Sequence, residues 1–497
     1  MKNINSCQRI VTNSFGIIIF GASGNLATNK LIPALFNIFK THKISKNFFI
    51  IGFGRTKFND ISFRKKIKSI LKNKENTDEF LKRCYYMMGF YDDDLSYIKL
   101  KEKTENLSKK YYTKGNLLFY TATPPDIYSI IAEKLALNKI ALKGKIKNPF
   151  HNIVIEKPFG RDLESARLLN KNLLKYFSEE QIFRIDHYLG KEPVQNIISF
   201  RFANTIFENM WNNEFIDNIQ ITISEETGVE KRAGYFDKYG LIRDMLQNHM
   251  MQLLALITMD PPKSLDEASI RKEKVKLFNS IEPIKENNLI RGQYIEGKIN
   301  NKNVVAYRDE IGVYKNSFTE TYFVAKLKIN NKRWSGVDFY LKGGKRLAKK
   351  ETKIAVVFKK KDFCGLCKFK NNPELPNVLI FKIYPEQEIT LLFQAKTPSS
   401  KMCLTPAEFH FNYKEMFGLE VKDDYETLLM DCINGEQSFF WDSFGIEKVW
   451  QVLDPILKKW DNYDIQTKKN KLKFYEAGSS GPKEAEIFIK NNGRIWY

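Results

Sequence analysis

The chain has 497 residues, 43% of them hydrophobic and 28% charged, with a formal net charge of +22. Its length points to two or three domains, and 26 glycines and 16 prolines are too few for a disordered or collagen-like chain. No apolar run approaches the ~20 residues of a membrane span, Met1–Ser14 lacks the apolar stretch of a signal peptide, and six cysteines make no disulfide scaffold, so a soluble cytoplasmic protein without a membrane partner is expected. The basic excess is 64 lysines and 16 arginines scattered through every segment. A nucleic-acid binder would gather them into one stripe with interleaved aromatics, so no nucleic-acid partner is expected. A basic surface still attracts anionic ligands.

In chain order, Phe15–Phe20 reads as a strand, Leu26–Lys40 as a helix and Asn47–Phe53 as a second strand. Asn116–Thr121, Asn152–Ile155 and Gln181–Ile185 follow as strands, with Ile127–Leu137 and Leu163–Tyr176 as helices. This alternation predicts a Rossmann-like, doubly wound α/β domain over residues 1–188. The pattern then changes. Asn218–Glu225, Glu320–Ile329, Val337–Leu341, Thr352–Lys359, Val378–Tyr384 and Glu388–Gln394 are strand-like without alternating helices. They predict an α+β domain over 189–497, with a mainly antiparallel sheet and packed helices such as Leu241–Met259.

Gly21-Ala22-Ser23-Gly24-Asn25-Leu26-Ala27 closes the first strand and opens the first helix. Small residues at 21, 24 and 27 let the backbone turn tightly beside a pyrophosphate, whose charge then sits at a helix amino terminus. An ATPase P-loop is disfavoured, because Asn29-Lys30-Leu31 stands where Gly, Lys and Ser or Thr are needed. Pro33 inside the helix predicts a kink or displaced backbone bonding. The second strand runs into Gly54-Arg55-Thr56-Lys57 without the carboxylate that would accept from an NAD ribose. A guanidinium there suits a 2′-phosphate and favours NADP.

His151–Gly160 (HNIVIEKPFG) is a strand ending in Glu156-Lys157-Pro158, which places Lys157 at the ligand edge of a parallel sheet, with Pro158 as a candidate cis residue. Arg184–Pro193 (RIDHYLGKEP) crowds Asp186, His187, Tyr188 and Lys191 into a turn before a helix, an anion site suited to a phosphomonoester. In Leu241–Met259, helical spacing puts Met245, His249, Gln252, Leu253 and Leu256 on one face. A lone His on such a face is most often a core residue. As a base it needs an orienting carboxylate, for which Asp186 is the candidate.

GASGNLA, EKPFG, RIDHYLGKEP, SEETGVEKRAGYFDKYGLIRDMLQNH and FYLKGGKRLAKK, in this order, resemble the signatures of the glucose-6-phosphate dehydrogenase family, from Phe15 to AGSSGP at Ala477–Pro482. The resemblance implies oxidation of glucose 6-phosphate at C1 to 6-phospho-D-glucono-1,5-lactone with hydride transfer to NADP, the opening of the oxidative pentose phosphate pathway. It implies that His249 is the general base and Asp186 its orienting partner. His187, Tyr188 and Lys191 would hold the sugar phosphate, Glu225 and Asp244 sugar hydroxyls, and Lys345 and Lys350 would face the substrate. Lys157 would bridge sugar and nicotinamide, while residues Gly21, Ala22, Ser23, Gly24, Asn25, Leu26, Ala27 and Arg55 would hold the dinucleotide. Homodimers or homotetramers are implied as well. Asn25 stands where the family usually has Asp, and Ser480 where it often has Trp. Cys364-Gly365-Leu366-Cys367 has thioredoxin-like spacing but no second CxxC or clustered His, so no metal site is expected. Two other readings stay open: a sugar dehydrogenase of the glucose–fructose oxidoreductase type, which has no need of the RIDHYLGK anion site, and a basic nucleic-acid-binding protein.

Overall fold

The computed structural model describes residues 12–41, 44–72, 74–144, 149–360, 375–398, 404–418 and 423–497. Cys364 and Cys367 lie outside them. The chain divides into two compact units. The first takes residues 1–191 together with 264–271 and 422–447, and the second takes 192–263, 272–421 and 448–497.

The first unit is built on six parallel strands: β1 (Phe15–Phe20), β2 (Phe48–Gly54), β3 (Cys84–Met88), β4 (Leu117–Thr121), β5 (His151–Glu156) and β6 (Ile182–Ile185). Their order, β3-β2-β1-β4-β5-β6, is that of a dinucleotide-binding doubly wound sheet. Every residue of β1, β2 and β4 is buried, as strands covered on both faces require, and their sequences are correspondingly continuous apolar runs. Three of the intervening helices, Asp60–Leu71, Asp94–Lys110 and Leu163–Tyr176, begin at side-chain caps. Asn59 and Ser62 form a reciprocal box before Asp60–Leu71, and Asp162 and Ser165 do so before Leu163–Tyr176. Ala27–Leu31 is a π-wound turn in which Ile32 N–H bonds Ala27 O, and Pro33 follows at the start of the α-helix Ile32–Lys40, where a missing N–H costs little. The helix Asp424–Asn434 packs on Ile32–Lys40 and on the turn after β6, and Asn152 Nδ2 donates to Cys432 O at 3.1 Å.

The second unit holds a nine-stranded sheet. Its strands are β7 (Ile216–Ser224), β8 (Leu289–Ile295), β11 (Tyr322–Leu327), β12 (Asp338–Gly344), β13 (Glu351–Phe358), β14 (Val378–Tyr384), β15 (Glu388–Lys396), β16 (Leu404–Asn412) and β17 (Leu472–Glu476). A separate two-stranded ribbon is formed by β9 (Gly297–Ile299) and β10 (Lys302–Val304). The large sheet runs β16-β15-β14-β13-β7-β12-β11-β8-β17. Only the β7–β12 and β8–β17 pairs are parallel, so it is mainly antiparallel. The expected helix over 241–259 is wound in two ways: Ile242–Met250 is π-helix and Met251–Thr258 is α-helix. Every residue from 244 to 258 is buried, so the single apolar face expected from α-helical spacing does not exist. A helix enclosed on all sides shows no such face.

Candidate active site

Parallel strands share one carboxyl edge, and in the first unit four motifs emerge there. After β1 the chain turns at Gly21, whose φ of +80° and whose position leave no room for a side chain: a Cβ would lie 2.3 Å from Ala122 O. Gly21 N–H bonds Phe53 O at 2.9 Å and Gly24 N–H bonds Gly21 O at 2.9 Å, which folds the turn back on the strand end. Ala22 and Ala27 are buried beneath the turn and Leu26 is half-buried, while Ser23, Gly24 and Asn25 are exposed. The turn therefore offers backbone and a helix start to a ligand. Thr28 Oγ1 donates to Gly24 O at 3.0 Å. At the end of β2, Arg55 is exposed with its guanidinium 5.9 Å from the Tyr91 ring centroid, and the Ser23 and Thr56 hydroxyls are hydrogen-bonded at 2.8 Å. This group of donors has the chemistry an extra phosphate on a dinucleotide requires.

At the end of β5, Lys157 is half-buried and precedes Pro158 through a cis peptide bond. Its neighbour Glu156 accepts from the Tyr120 hydroxyl at 2.5 Å and from the Tyr425 hydroxyl at 3.2 Å. Withdrawal from water pushes the Glu156 carboxyl up to about 7, against the pull of the two hydroxyls and of the Lys157 charge. After β6, Asp186 is buried and accepts Tyr188 N–H at 3.0 Å, which caps the 3₁₀ turn His187–Gly190. The His187 and Tyr188 rings are 5.0 Å apart. Lys191 Nζ lies 2.6 Å from Asp424 Oδ2 and 5.6 Å from the Tyr188 ring centroid. Burial raises the Asp424 carboxyl and the Lys191 charge opposes the rise. Asp424 was not among the expected site residues, because nothing local to it signals a partner 233 positions earlier. Arg184, in the same motif, is a framework residue, fully buried and bonded to Glu179 and Asn170.

In the second unit, β7 ends beside Glu225, which pairs with the buried Lys345 ammonium just beyond β12. Because β7 and β12 run parallel, the two residues leave the sheet at the same end. Glu225 N–H bonds Gly344 O at 2.9 Å and Leu347 N–H bonds Glu225 O at 3.0 Å, so the carboxylate and ammonium are joined through backbone as well. Glu310, absent from the expected set, supports this corner: it accepts Glu230 N–H at 3.0 Å and the Tyr294 hydroxyl at 2.5 Å, and pairs with Arg346 at 3.3 Å. Lys350 is exposed, with its ammonium 4.2 Å from the Tyr384 ring centroid.

Asp244 and His249 are carried by the π-helix Ile242–Met250, which packs against β12. Both are buried, and Asp244 lies 3.6 Å from the Arg232 guanidinium. The helix that continues this segment ends without a side-chain cap of its own. Its last carbonyls accept instead from buried donors: Trp211 Nε1 to Ile257 O at 2.6 Å, Trp334 Nε1 to Thr258 O at 2.7 Å, and Arg201 to Leu256 O and Met259 O at 2.9 and 2.8 Å.

A doubly wound nucleotide-binding sheet, with a lysine and a dense polar turn at its carboxyl edge and a separate sheet unit bearing a buried histidine, defines a nicotinamide-dependent dehydrogenase. The sequence matches the model of the glucose-6-phosphate dehydrogenase NAD-binding domain over residues 18–196, and that of the C-terminal domain over 198–497. It is 40% identical over 496 residues to the glucose-6-phosphate 1-dehydrogenase of Chlamydia pneumoniae, covering 97% of this chain and 95% of that one. It is also 40% identical to the enzyme of Borreliella burgdorferi, covering 98% of each. A solved glucose-6-phosphate dehydrogenase in complex with glucose 6-phosphate superposes with a TM-score of 0.88 at 32% identity, covering 98% of this chain and 99% of the other. The chain belongs to the glucose-6-phosphate dehydrogenase family. It oxidises glucose 6-phosphate with NADP as hydride acceptor, which opens the pentose phosphate pathway. The glucose–fructose oxidoreductase and nucleic-acid-binding readings give way to it.

Proposed function

We propose that the family's reaction is carried here by the residues described above. His249 takes the proton of the C1 hydroxyl while hydride leaves C1, and Asp186 holds the imidazole in the tautomer that can accept it. His187, Tyr188 and Lys191 receive the phosphate, far from the bond being broken, so its binding energy can position C1. Glu225 and Asp244 accept from sugar hydroxyls. Lys345 and Lys350 neutralise charge around the substrate, and Lys157 serves both sugar and nicotinamide. The turn from Gly21 to Ala27 fits the pyrophosphate, because Gly21 could not carry a side chain and Ser23, Gly24 and Asn25 are exposed. Arg55 takes the 2′-phosphate; when bound, the nicotinamide supplies the hydride acceptor. Asn25 and Ser480 touch none of the proposed chemistry; Asn25, exposed in the pyrophosphate turn, bears on cofactor affinity rather than on activity.

The observation that carries the reading is the turn after β6, where Asp186, His187, Tyr188 and Lys191 are held by one 3₁₀ turn at the sheet's carboxyl edge. The test follows absorbance of the reduced nicotinamide with NADP or NAD, each against glucose 6-phosphate or glucose. The expected result is turnover on the phosphorylated sugar at a far higher kcat/KM than on the free one. Equal efficiency on both sugars overturns the phosphate site.

Dimers or tetramers formed through the outer strands of the large sheet complete the proposal. Phe409 on β16 is 64% exposed and stacks on Phe393 of β15 at 4.5 Å, an apolar pair that a second copy would cover. Light scattering against the 58.2 kDa chain mass decides it. The cytoplasm is the proposed compartment, since the described cysteines Cys84 and Cys432 are free and buried, as in proteins kept reduced. Among the described residues no helix is long and apolar enough to cross a membrane.

A further inference from the structure

Asp244 and His249 are five positions apart. In an α-helix that spacing turns the second side chain about 140° away from the first. A π-helix bonds residue i to residue i+5, which carries the fifth residue back over the first. Ile242–Met250 is π-wound throughout, and Met251 N–H bonds Leu246 O at its far end. The winding therefore sets whether the two side chains can meet a single sugar.

π-Winding is less favourable than α-winding and needs something to hold it. The start of this segment is held by Glu320, which precedes β11 and is almost wholly buried. Its Oε1 accepts Ile242 N–H at 3.0 Å, and its backbone O accepts Leu241 N–H at 3.1 Å. Gly240, at φ +73° and ψ 170°, breaks the preceding helix at this point. A Cβ on Gly240 would lie 2.3 Å from Glu320 Oε1, so the carboxylate occupies the space a side chain would need. The other carboxylate oxygen pairs with Arg291, whose guanidinium stacks over Trp460 at 3.6 Å. The α-helix Met251–Thr258 that continues the segment is fixed at its own end by the Trp211, Trp334 and Arg201 donors, so the π-wound stretch lies between two held points.

We infer that Glu320 is a positioning residue for the reaction: by accepting Ile242 N–H it fixes the start of the π-wound segment, and with it the phase that sets Asp244 and His249 over one another. This rests on the assignment of those two residues to the substrate. Glu320 touches no substrate and acts only through the helix.

Two conservative variants separate reach from charge. Glu320→Gln keeps an acceptor at the same distance from Ile242 N–H and loses the ion pair with Arg291. Glu320→Asp keeps the charge and is one methylene too short to cap the helix. Glu320→Gln should stay within about threefold of the parent in kcat and in KM for glucose 6-phosphate. Glu320→Asp should lose roughly 30-fold or more in kcat/KM, through both terms, with a displaced pH profile and an unchanged Kd for NADP. Hydrogen exchange at amides 242–250 should rise in Glu320→Asp and not in Glu320→Gln. Exchange is read without turnover, so a failure of the substrate assignment appears in the parent enzyme and stays distinct from a failure of this inference. Asp equal to or better than Gln, or both within twofold of the parent, overturns it, and so does a loss confined to the yield of soluble protein.

Discussion

The two units solve the problem of holding a ligand with different materials. The carboxyl edge of the parallel sheet is largely a backbone construction: strand ends, a glycine at positive φ and a helix start bring N–H groups together, and the side chains nearest the proposed dinucleotide are exposed. The proposed base and its helix in the second unit are the reverse: His249, Asp244 and Glu320 are all buried, with Asp244 beside the Arg232 guanidinium and Glu320 accepting Ile242 N–H. Backbone sites tolerate side-chain replacement and fail when the chain path changes. Sites made of buried side chains fail one group at a time, because each lost group leaves an unpaired partner.

The largest test of that contrast is His249→Asn, which removes the base and retains a polar side chain of similar size. It should lower kcat by roughly 10²–10⁴-fold and leave the Kd for glucose 6-phosphate within a few-fold, read by single-turnover kinetics and by titration. Near-normal turnover would remove His249 from the chemistry. On the other side of the comparison, Gly21→Ala inserts one methyl group at a position with no room for it, in a conformation that L-residues rarely adopt. The strain of a few kcal/mol should appear as a loss of NADP affinity of roughly 30-fold or more, with glucose 6-phosphate binding intact. A Gly21→Ala enzyme that binds NADP normally would show that the turn is not where the pyrophosphate sits.

The same contrast explains what could be read in advance. The strands β1, β2 and β4 are visible in sequence because a strand buried on both faces reads as an apolar run. β5 and β6 show only short apolar cores around polar residues, and the glycine turn is visible because only glycine can stand at Gly21. Expected edges such as Asn47–Phe53 against the observed Phe48–Gly54 differ by one residue. β3, by contrast, is missing from the expected strands: it lies at the edge of the sheet, and its last two residues, Met87 and Met88, are not buried. The partnership of Lys191 with Asp424, and the docking of the helix Asp424–Asn434 on the first unit, join residues more than 200 positions apart and leave no local signal. The π-helix is hidden for another reason. Apolar periodicity reports which side of a helix faces water, and a segment with no wet side reports nothing about its pitch, so His249 was visible as a residue while its phase was not.

Glu156, like the buried Asp186, departs from this pattern within the first unit, an acidic side chain withdrawn from water beside the backbone-built edge, and it gives a stability test. The folded protein keeps this carboxyl protonated to about 7, and the unfolded chain releases the proton near the ordinary 4.5. Between those values the folded state binds more protons, so the contribution of Glu156 falls as pH rises and levels off above about 7. The shift bounds the effect near 3 kcal/mol, and partial contact with water reduces it to about 2 kcal/mol. Glu156→Gln should therefore raise the urea midpoint at pH 8 and change it little at pH 4.5. A gain of the same size at both pH values would mean that the carboxyl titrates normally and that the gain is one of packing.

The smallest expected effect probes the one exposed charge to which the reading gives a selective role. Arg55 stands where an NAD-selective sheet carries a carboxylate, and its guanidinium is in water beside Tyr91, Ser23 and Thr56. An exposed ion pair with a phosphate is worth only about 1–2 kcal/mol, so Arg55→Ala should weaken NADP about tenfold while leaving NAD within twofold. The difference between the two cofactors should shrink as salt rises from 50 to 500 mM in the parent enzyme and should be nearly salt-independent in the variant. Parallel losses for NADP and NAD would assign Arg55 to the shared part of the dinucleotide. The backbone edge would then bind both cofactors by the same contacts, and selectivity would have to come from Lys57 or from the Ser23–Thr56 hydroxyl pair.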